Sequence, residues 1–280
     1  MMSDRHMDRT VKDTFSLIFL QSFIFLGLCV VFLAEFAAFV MHIDLQWMYD
    51  GVLFFGTLAL YNFYAKIGQQ KLYALQNHLI ADVIILVSLV LGGYCALSLG
   101  LEMVFILIPG MVLSFLYVIA EIYPSLRAPK YVQPLIISLV FSYFTVIVPA
   151  HLATIEIPWW LFICIFFFVF VLCLAFDIGD FYIDMEKSLL SIPVLTGIHK
   201  SKFISFFILG ILFIVVGIKR ETIPPDAFYA MLTTLVVTSY LIKRTQPSDD
   251  KSFFFFWIDG MMALPYFILI VMRLFSPILT

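Results

Sequence analysis

The chain has 280 residues, of which 63% are hydrophobic and 12% charged, with 32 Phe and a formal net charge of −3. A soluble domain could not keep so little polar surface in water, so composition alone makes this an integral membrane protein. No basic patch extends beyond the loops, which excludes nucleic acid as a partner.

In chain order, a window of about 20 residues, the thickness of a bilayer core, finds nine apolar spans. They lie near residues 15–41, 46–65, 78–97, 101–121, 131–151, 157–177, 203–218, 226–242 and 253–275. Residues 1–14 form a short charged tail, and the apolar stretch behind it is too long for a signal-peptide core, so it stays as the first span. The whole of 1–280 reads as one polytopic membrane domain, all-α in class. With the N-terminus in the cytoplasm, the inner segments carry Arg5, Arg9, Lys12, Lys66, Lys71, Arg127, Lys130, Lys187, Lys200, Lys202, Lys243, Arg244 and Lys251. Only Lys219, Arg220 and Arg273 then fall outside. This bias of thirteen to three fixes the tail and the 2–3 and 6–7 loops on the cytoplasmic face. The expected location is a bacterial inner membrane, crossed many times. Cys29, Cys95, Cys164 and Cys173 sit in apolar runs without metal-ligand spacing and read as small buried hydrophobes. The five histidines are scattered, with no pair at ligand spacing.

Two cytoplasmic segments carry polar residues at helical spacing where a span ends: "LYNFYAKIGQQK" at 60–71, and "DIGDFYIDMEKSLLSIPVLTG" at 177–197. Topology puts them on the same side, where they could face each other across one cavity. In the second, Asp177, Asp180 and Asp184 are spaced i, i+3, i+7, on one face of a helix. Carboxylates about 6 Å apart, in an effective dielectric near 20, repel by roughly 3 kcal/mol per pair. A helix C-terminus adds its own negative end. A divalent cation would relieve the repulsion, and Mg²⁺ suits carboxylate oxygens shared with a substrate phosphate. A solvated acidic helix end, screened by water, is the other reading.

The 177–197 segment resembles the second aspartate motif of the UbiA superfamily of intramembrane prenyltransferases. That motif reads DxxDxxxD, followed by a threonine or serine, Leu/Ile-Pro-Val-Leu and a glycine. The resemblance extends over the chain through the nine spans and the asparagine at the entrance of the 2–3 loop. It implies nine transmembrane helices bundled around a central lipid-open cavity, which binds an isoprenyl diphosphate through Mg²⁺ and transfers the prenyl group to an aromatic or other acceptor. By the same resemblance Asp177, Asp180 and Asp184 would be the catalytic, metal-holding acids, and Ser191 would stand by the diphosphate where the family usually has threonine. Met185 and Leu190 occupy positions where the family often has arginine and lysine.

The first motif departs further. With the asparagine of the family's NDxxDxxxD set on Asn62, Phe63, Lys66 and Gln70 stand where its aspartates belong. Asn62, Lys66 and Gln70 remain as a polar stripe at i, i+4, i+8, expected to face the cavity. Lys66 would contact the diphosphate in place of one Mg²⁺, or it snorkels to the interface without a ligand. Arg127 matches a basic position that the family often has after a Tyr-Pro turn, and Lys130 lies beside it; each would bind diphosphate or be a solvated loop residue. Asp82, Asp259 and Glu35 fall within spans, where ionisable groups are costly. The first two could line the cytoplasmic cavity while Glu35 points to the outer half, or all three are neutral acids hydrogen-bonded at helix contacts. The aromatic residues either line a cavity that stabilises an allylic cation or, as in "FFFFW" at 253–257 and "WW" at 159–160, face lipid and the interface.

The activity this implies is Mg²⁺-dependent ionisation of an isoprenyl diphosphate followed by alkyl transfer to an aromatic or lipid acceptor. A terpene cyclase, which needs no acceptor, is the alternative among enzymes. A non-catalytic isoprenoid or lipid-diphosphate binding protein is the alternative outside them, favoured by the lost first motif. A transporter finds no support in paired broken helices or repeats.

Overall fold

A computed structural model describes residues 23–67, 78–122, 130–247 and 249–275, and every regular element among them is helical. Apolar runs in lipid have no water to satisfy backbone N–H and C=O groups, so they must close their hydrogen bonds within the segment. The bundle consists of α1 (Ile24–Val40), α2 (Trp47–Ile67), α3 (His78–Ser98), α4 (Leu101–Ile122), α5 (Lys130–Leu152), α6 (Trp159–Gly179), α7 (Phe181–Glu186), α8 (Ile192–Thr196), α9 (Ile198–Ile218), α10 (Pro225–Arg244) and α11 (Phe253–Phe275).

Nine of these helices lie where the nine apolar spans are expected. Among the described residues, seven (α3 to α6 and α9 to α11) are long and apolar enough to cross a membrane. The other two differ for identifiable reasons. α1 is described over 17 residues, and positions 15–22 of the expected first span lie outside the described residues. α2 has 21 residues but includes Asp50, Asn62 and Lys66. Helix α9 starts at Ile198, five residues before the expected 203, because Gly197 takes a φ of 89° that ends α8 and opens α9. His199, Lys200 and Lys202 hide that first turn from an apolar window.

Helix α6 forms the centre: 67% of its most apolar stretch is buried, against 22% in α3. It packs on α5 and α9, while α1 lies on α11 and α2 along α3. Its last turn meets α11 very closely, since a Cβ on Gly179 would sit 2.5 Å from the Phe254 ring. That glycine lets the C-terminus of α6 settle against a π-helical turn, Phe253–Ile258, at the start of α11. Around this contact the C-terminal turns of α2, α4 and α6 and the N-terminal turns of α1, α5 and α11 enclose a cavity of about 170 Å³.

Candidate active site

The acidic segment is built on a bend. α6 ends at Gly179, Asp180 takes φ −84° and ψ 3°, and α7 starts at Phe181. The three carboxylates are therefore not on one unbroken helix as the i, i+3, i+7 spacing suggests. Their register is nevertheless kept across the bend, because the Asp180 N–H donates to the Phe176 carbonyl and the Asp184 N–H to the Asp180 carbonyl, both at 2.9 Å. Asp177 and Asp184 are buried, and Asp177 and Asp180 line the cavity.

A protein cation meets this charge. The buried Lys130 ammonium, at the first residue of α5, donates to Asp184 Oδ1 and stands 4.0 Å from Asp177 Oδ1. The Tyr131 N–H donates to the Leu190 carbonyl at 3.0 Å, which ties the start of α5 to the segment ahead of α8. Ser191, the next residue, is fully buried at the N-cap position of α8, where its hydroxyl makes no capping bond and has no hydrogen-bond partner. The structure thus brings together Asp177, Asp184 and Lys130, three of the residues singled out from the sequence, while Ser191 is not part of the cavity wall. Lys251, just ahead of α11, is within electrostatic reach of Asp180; burial, the larger cause, pushes its ammonium below the ordinary lysine range, Asp180 acts the other way, and Lys187 adds to the lowering.

The first-motif region is arranged differently. Both segments do reach one cavity, but on α2 the wall is made by Tyr61, Tyr64 and Ala65, with neither Asn62 nor Lys66. Asn62 is buried and its amide donates to the Leu58 carbonyl at 2.8 Å, one turn back. Lys66 forms an ion pair with Asp82 of α3, with 36% and 53% of the two side chains exposed. Asp82 accordingly lies away from the cavity it was expected to line. Gln70 and Arg127 lie outside the described residues.

Asp259 does line the cavity, from α11. Glu35 lies instead beside Asp50. The aromatic clusters divide: Phe255 faces the cavity and Phe254 is buried, whereas Phe256, Trp257 and Trp159 are exposed on the outside of the bundle. Sequence reasoning missed Tyr61, Tyr64 and Tyr117 as cavity walls, with Tyr64 and Tyr117 stacked at a centroid distance of 5.5 Å. The i, i+3 spacing of Tyr61 and Tyr64 was the available signal. Gln133, one turn after Lys130, was also missed.

No protein-family model and no curated protein matches the sequence. Solved structures do. A UbiA homologue from Aeropyrum pernix K1 in its apo form superposes with a TM-score of 0.62 at 12% identity, over 90% of this chain and 97% of that one. A UbiA homologue from Archaeoglobus fulgidus bound to GPP and Mg²⁺ gives 0.59 at 11% identity, over 90% and 98%. A digeranylgeranylglyceryl phosphate synthase gives 0.55 at 13% identity, over 94% and 98%. The chain has the UbiA fold. At these identities the match carries the architecture and leaves the chemistry to the residues themselves.

Among the described residues no group of three or more His, Cys, Asp or Glu side chains converges as a ready ligand set for a metal. What the UbiA-fold site offers is smaller. Asp177 Oδ2 and Asp184 Oδ2 are buried carboxylate oxygens without a hydrogen-bond partner, and one ammonium stands against two carboxylates. Hard, unsatisfied oxygens with an excess of negative charge fit a divalent cation that takes its remaining ligands from water and phosphate.

Proposed function

We propose that the protein is a UbiA-type prenyltransferase, which binds an isoprenyl diphosphate at the Asp177–Lys130 end of the cavity and transfers its prenyl group to an acceptor inside the bundle. The observation that carries this reading is the pair of buried, unpartnered carboxylate oxygens on Asp177, which lines an aromatic-walled cavity, and on Asp184, which shares the cavity-lining Lys130 with it. Asp177, Asp180 and Asp184 would hold Mg²⁺, which supplies positive charge to a leaving diphosphate. Lys130 is already desolvated and oriented by Asp184, so its ammonium binds a phosphate oxygen without reorganisation. Ser191 presents a hydroxyl with no internal partner and donates it to the same anion. Arg127, outside the described residues, would by the motif resemblance add a further cation for the diphosphate. Lys66 and Asn62 are not part of the cavity wall, and Lys66 would reach the diphosphate only by leaving its pair with Asp82. The walls of Tyr61, Phe176 and Phe255 hold the prenyl chain away from water. In orientation, the positive-inside bias puts the motif end and the N-terminus in the cytoplasm.

Incubation of the purified protein in lipid nanodiscs with geranyl diphosphate and Mg²⁺ tests the reading. Release of inorganic diphosphate that EDTA stops and Asp177→Asn abolishes is the expected result. A second reading, a prenyl-diphosphate binding protein without turnover, is favoured by Phe63 and Lys66 at first-motif positions. It predicts Mg²⁺-dependent binding of the same ligand with no diphosphate released.

A further inference from the structure

Lys200, Lys243 and Arg244 are cations that the proposed diphosphate site does not use. They are exposed, none lines the cavity, and among the described residues none of them forms an ion pair. Their place on the helices is specific. Along α9, Lys200, Phe203, Phe207, Ile211 and Ile214 recur every three or four residues, so Lys200 heads one exposed stripe, on which Phe203 and Phe207 are 71% and 62% exposed. Along α10, Val236, Tyr240 and Lys243 repeat the pattern, with Val236 and Tyr240 each 60% exposed. The two helices pack against each other, and the Lys202 ammonium donates to the Lys243 carbonyl at 3.0 Å. That bond ties the heads of the two stripes together.

The charges at this edge do not cancel. Lys202 covers the negative C-terminal end of α10, and α9 begins here with its positive end. Asp249, within electrostatic reach of Lys202, accepts the Gln246 N–H at 2.7 Å and offsets one of the basic residues. A bias of cations to one side of the membrane explains the side on which they lie. It does not explain lysines at the head of lipid-facing stripes on two neighbouring helices. At the other end of the same helix pair, by contrast, the Arg220 guanidinium is taken up by the Phe228 ring, 5.8 Å from its centroid. A soluble anion has no use for the apolar stripes, and a zwitterionic lipid leaves the excess charge unanswered. An anionic phospholipid answers both. From Lys200 to Ile211 the helix rises about 16 Å at 1.5 Å per residue, close to the half-thickness of a bilayer core.

We propose that the outer surface of α9 and α10 is a binding site for an anionic phospholipid, whose phosphate lies at Lys200, Lys243 and Arg244 and whose acyl chains follow the Phe203–Phe207 and Val236–Tyr240 stripes. Basic positions at the membrane-proximal ends of neighbouring helices recognise acidic headgroups in this way. The site is separate from the cavity and stands whether or not the protein transfers a prenyl group. Native mass spectrometry of the protein in an uncharged detergent measures the affinity of the first bound dioleoyl phosphatidylglycerol and of its phosphatidylcholine counterpart. The wild type binds the anionic lipid about tenfold more tightly, the scale set by one or two basic residues facing an acidic headgroup. In the double variant Lys200→Gln with Lys243→Gln the preference falls to near one. Both side chains are exposed, so folding is not at risk, and an unchanged affinity for phosphatidylcholine shows that the apolar stripes are intact. The variant Lys219→Gln with Arg220→Gln removes the same charge from the other end of the helix pair and keeps the preference. Equal affinities in the wild type, or an undiminished preference in the first variant, overturns the site. An equal loss in both variants does so too, since net charge alone then governs binding. Displacement of phosphatidylglycerol by inorganic phosphate, but not by chloride of equal ionic strength, would make this a site for free anions and overturn the lipid.

Discussion

The C-terminal turns of α2 and α6 reach the same cavity, yet their charged residues are arranged in opposite ways. At α6, Asp177 and Asp184 are buried and share the buried ammonium of Lys130, with carboxylate oxygens left over. At α2, Lys66 turns away from the cavity and pairs with Asp82 where both side chains remain substantially exposed. Desolvation separates the two. A buried ion pair holds together only if every charge has a partner, and it is a place where a ligand can supply what is missing. An exposed pair is screened by solvent and contributes little. The α6 corner is poised for a ligand and the α2 corner is closed on itself.

The largest effect expected from breaking this contrast is at Lys130. Lys130→Ala leaves Asp177 and Asp184 buried together without their cation, at a cost of about 3–5 kcal/mol. Thermal unfolding in detergent should show a clear drop in Tm. The double variant Lys130→Met with Asp184→Leu should recover part of it, since the worst uncompensated charge is then gone. Equal melting of Lys130→Ala and wild type would mean that the corner is wetter than its burial implies.

Gly179→Ala comes next. Its new Cβ would meet the Phe254 ring at 2.5 Å, and overpacking of this kind costs about 1–3 kcal/mol. The substitution pushes α6 off α11 and displaces Asp177 and Asp180, so Mg²⁺-dependent binding of geranyl diphosphate should weaken along with Tm. Gly179→Ala combined with Phe254→Leu should restore both. Restoration of Tm without binding would separate the position of the acids from the packing beneath them.

The contrast also divides what was legible in the sequence. Apolar runs of bilayer length located the helices, because backbone satisfaction in lipid leaves few alternatives. The failures in detail, such as the late start given to α9, fall where polar residues occupy a helical turn. The second motif was legible because its residues are close in sequence: Asp177 and Asp184 do meet at Lys130. Lys130 was read as either a diphosphate-binding cation or a solvated loop residue; its burial against Asp184, beside the Tyr131 to Leu190 hydrogen bond, is a tertiary arrangement that no local pattern encodes. The stripe of Asn62 and Lys66 was placed on the cavity side of α2, but the wall there is Tyr61, Tyr64 and Ala65. Helical spacing says which residues share a face and not which way the face turns.

A smaller effect is expected at Lys251, which lies on the α11 side of the acidic corner. Burial lowers its folded pKa, so between the folded and the ordinary value the unfolded chain holds more protons and stability rises as pH climbs through that window. Below the folded value the penalty is complete and constant. Lys251→Met removes it, so the advantage of the variant in Tm should shrink as pH rises through the alkaline range. Parallel curves for the two proteins would show that the ammonium is fully solvated.

The smallest effect is expected at the closed corner. Lys66→Ala and Asp82→Ala each remove an exposed pair that contributes about 0–1 kcal/mol, so Tm should hardly move. Binding of geranyl diphosphate separates the two uses of this lysine. If Lys66 stays with Asp82, both variants give the wild-type isotherm, because neither side chain is part of the cavity wall. If Lys66 instead swings to the phosphate, Lys66→Ala weakens binding, and Asp82→Ala strengthens it by releasing a competitor for the same ammonium. The structure leads to the first outcome. Opposite shifts in the two variants would move the diphosphate toward α2 and α3 and make the exposed pair a latch on the site.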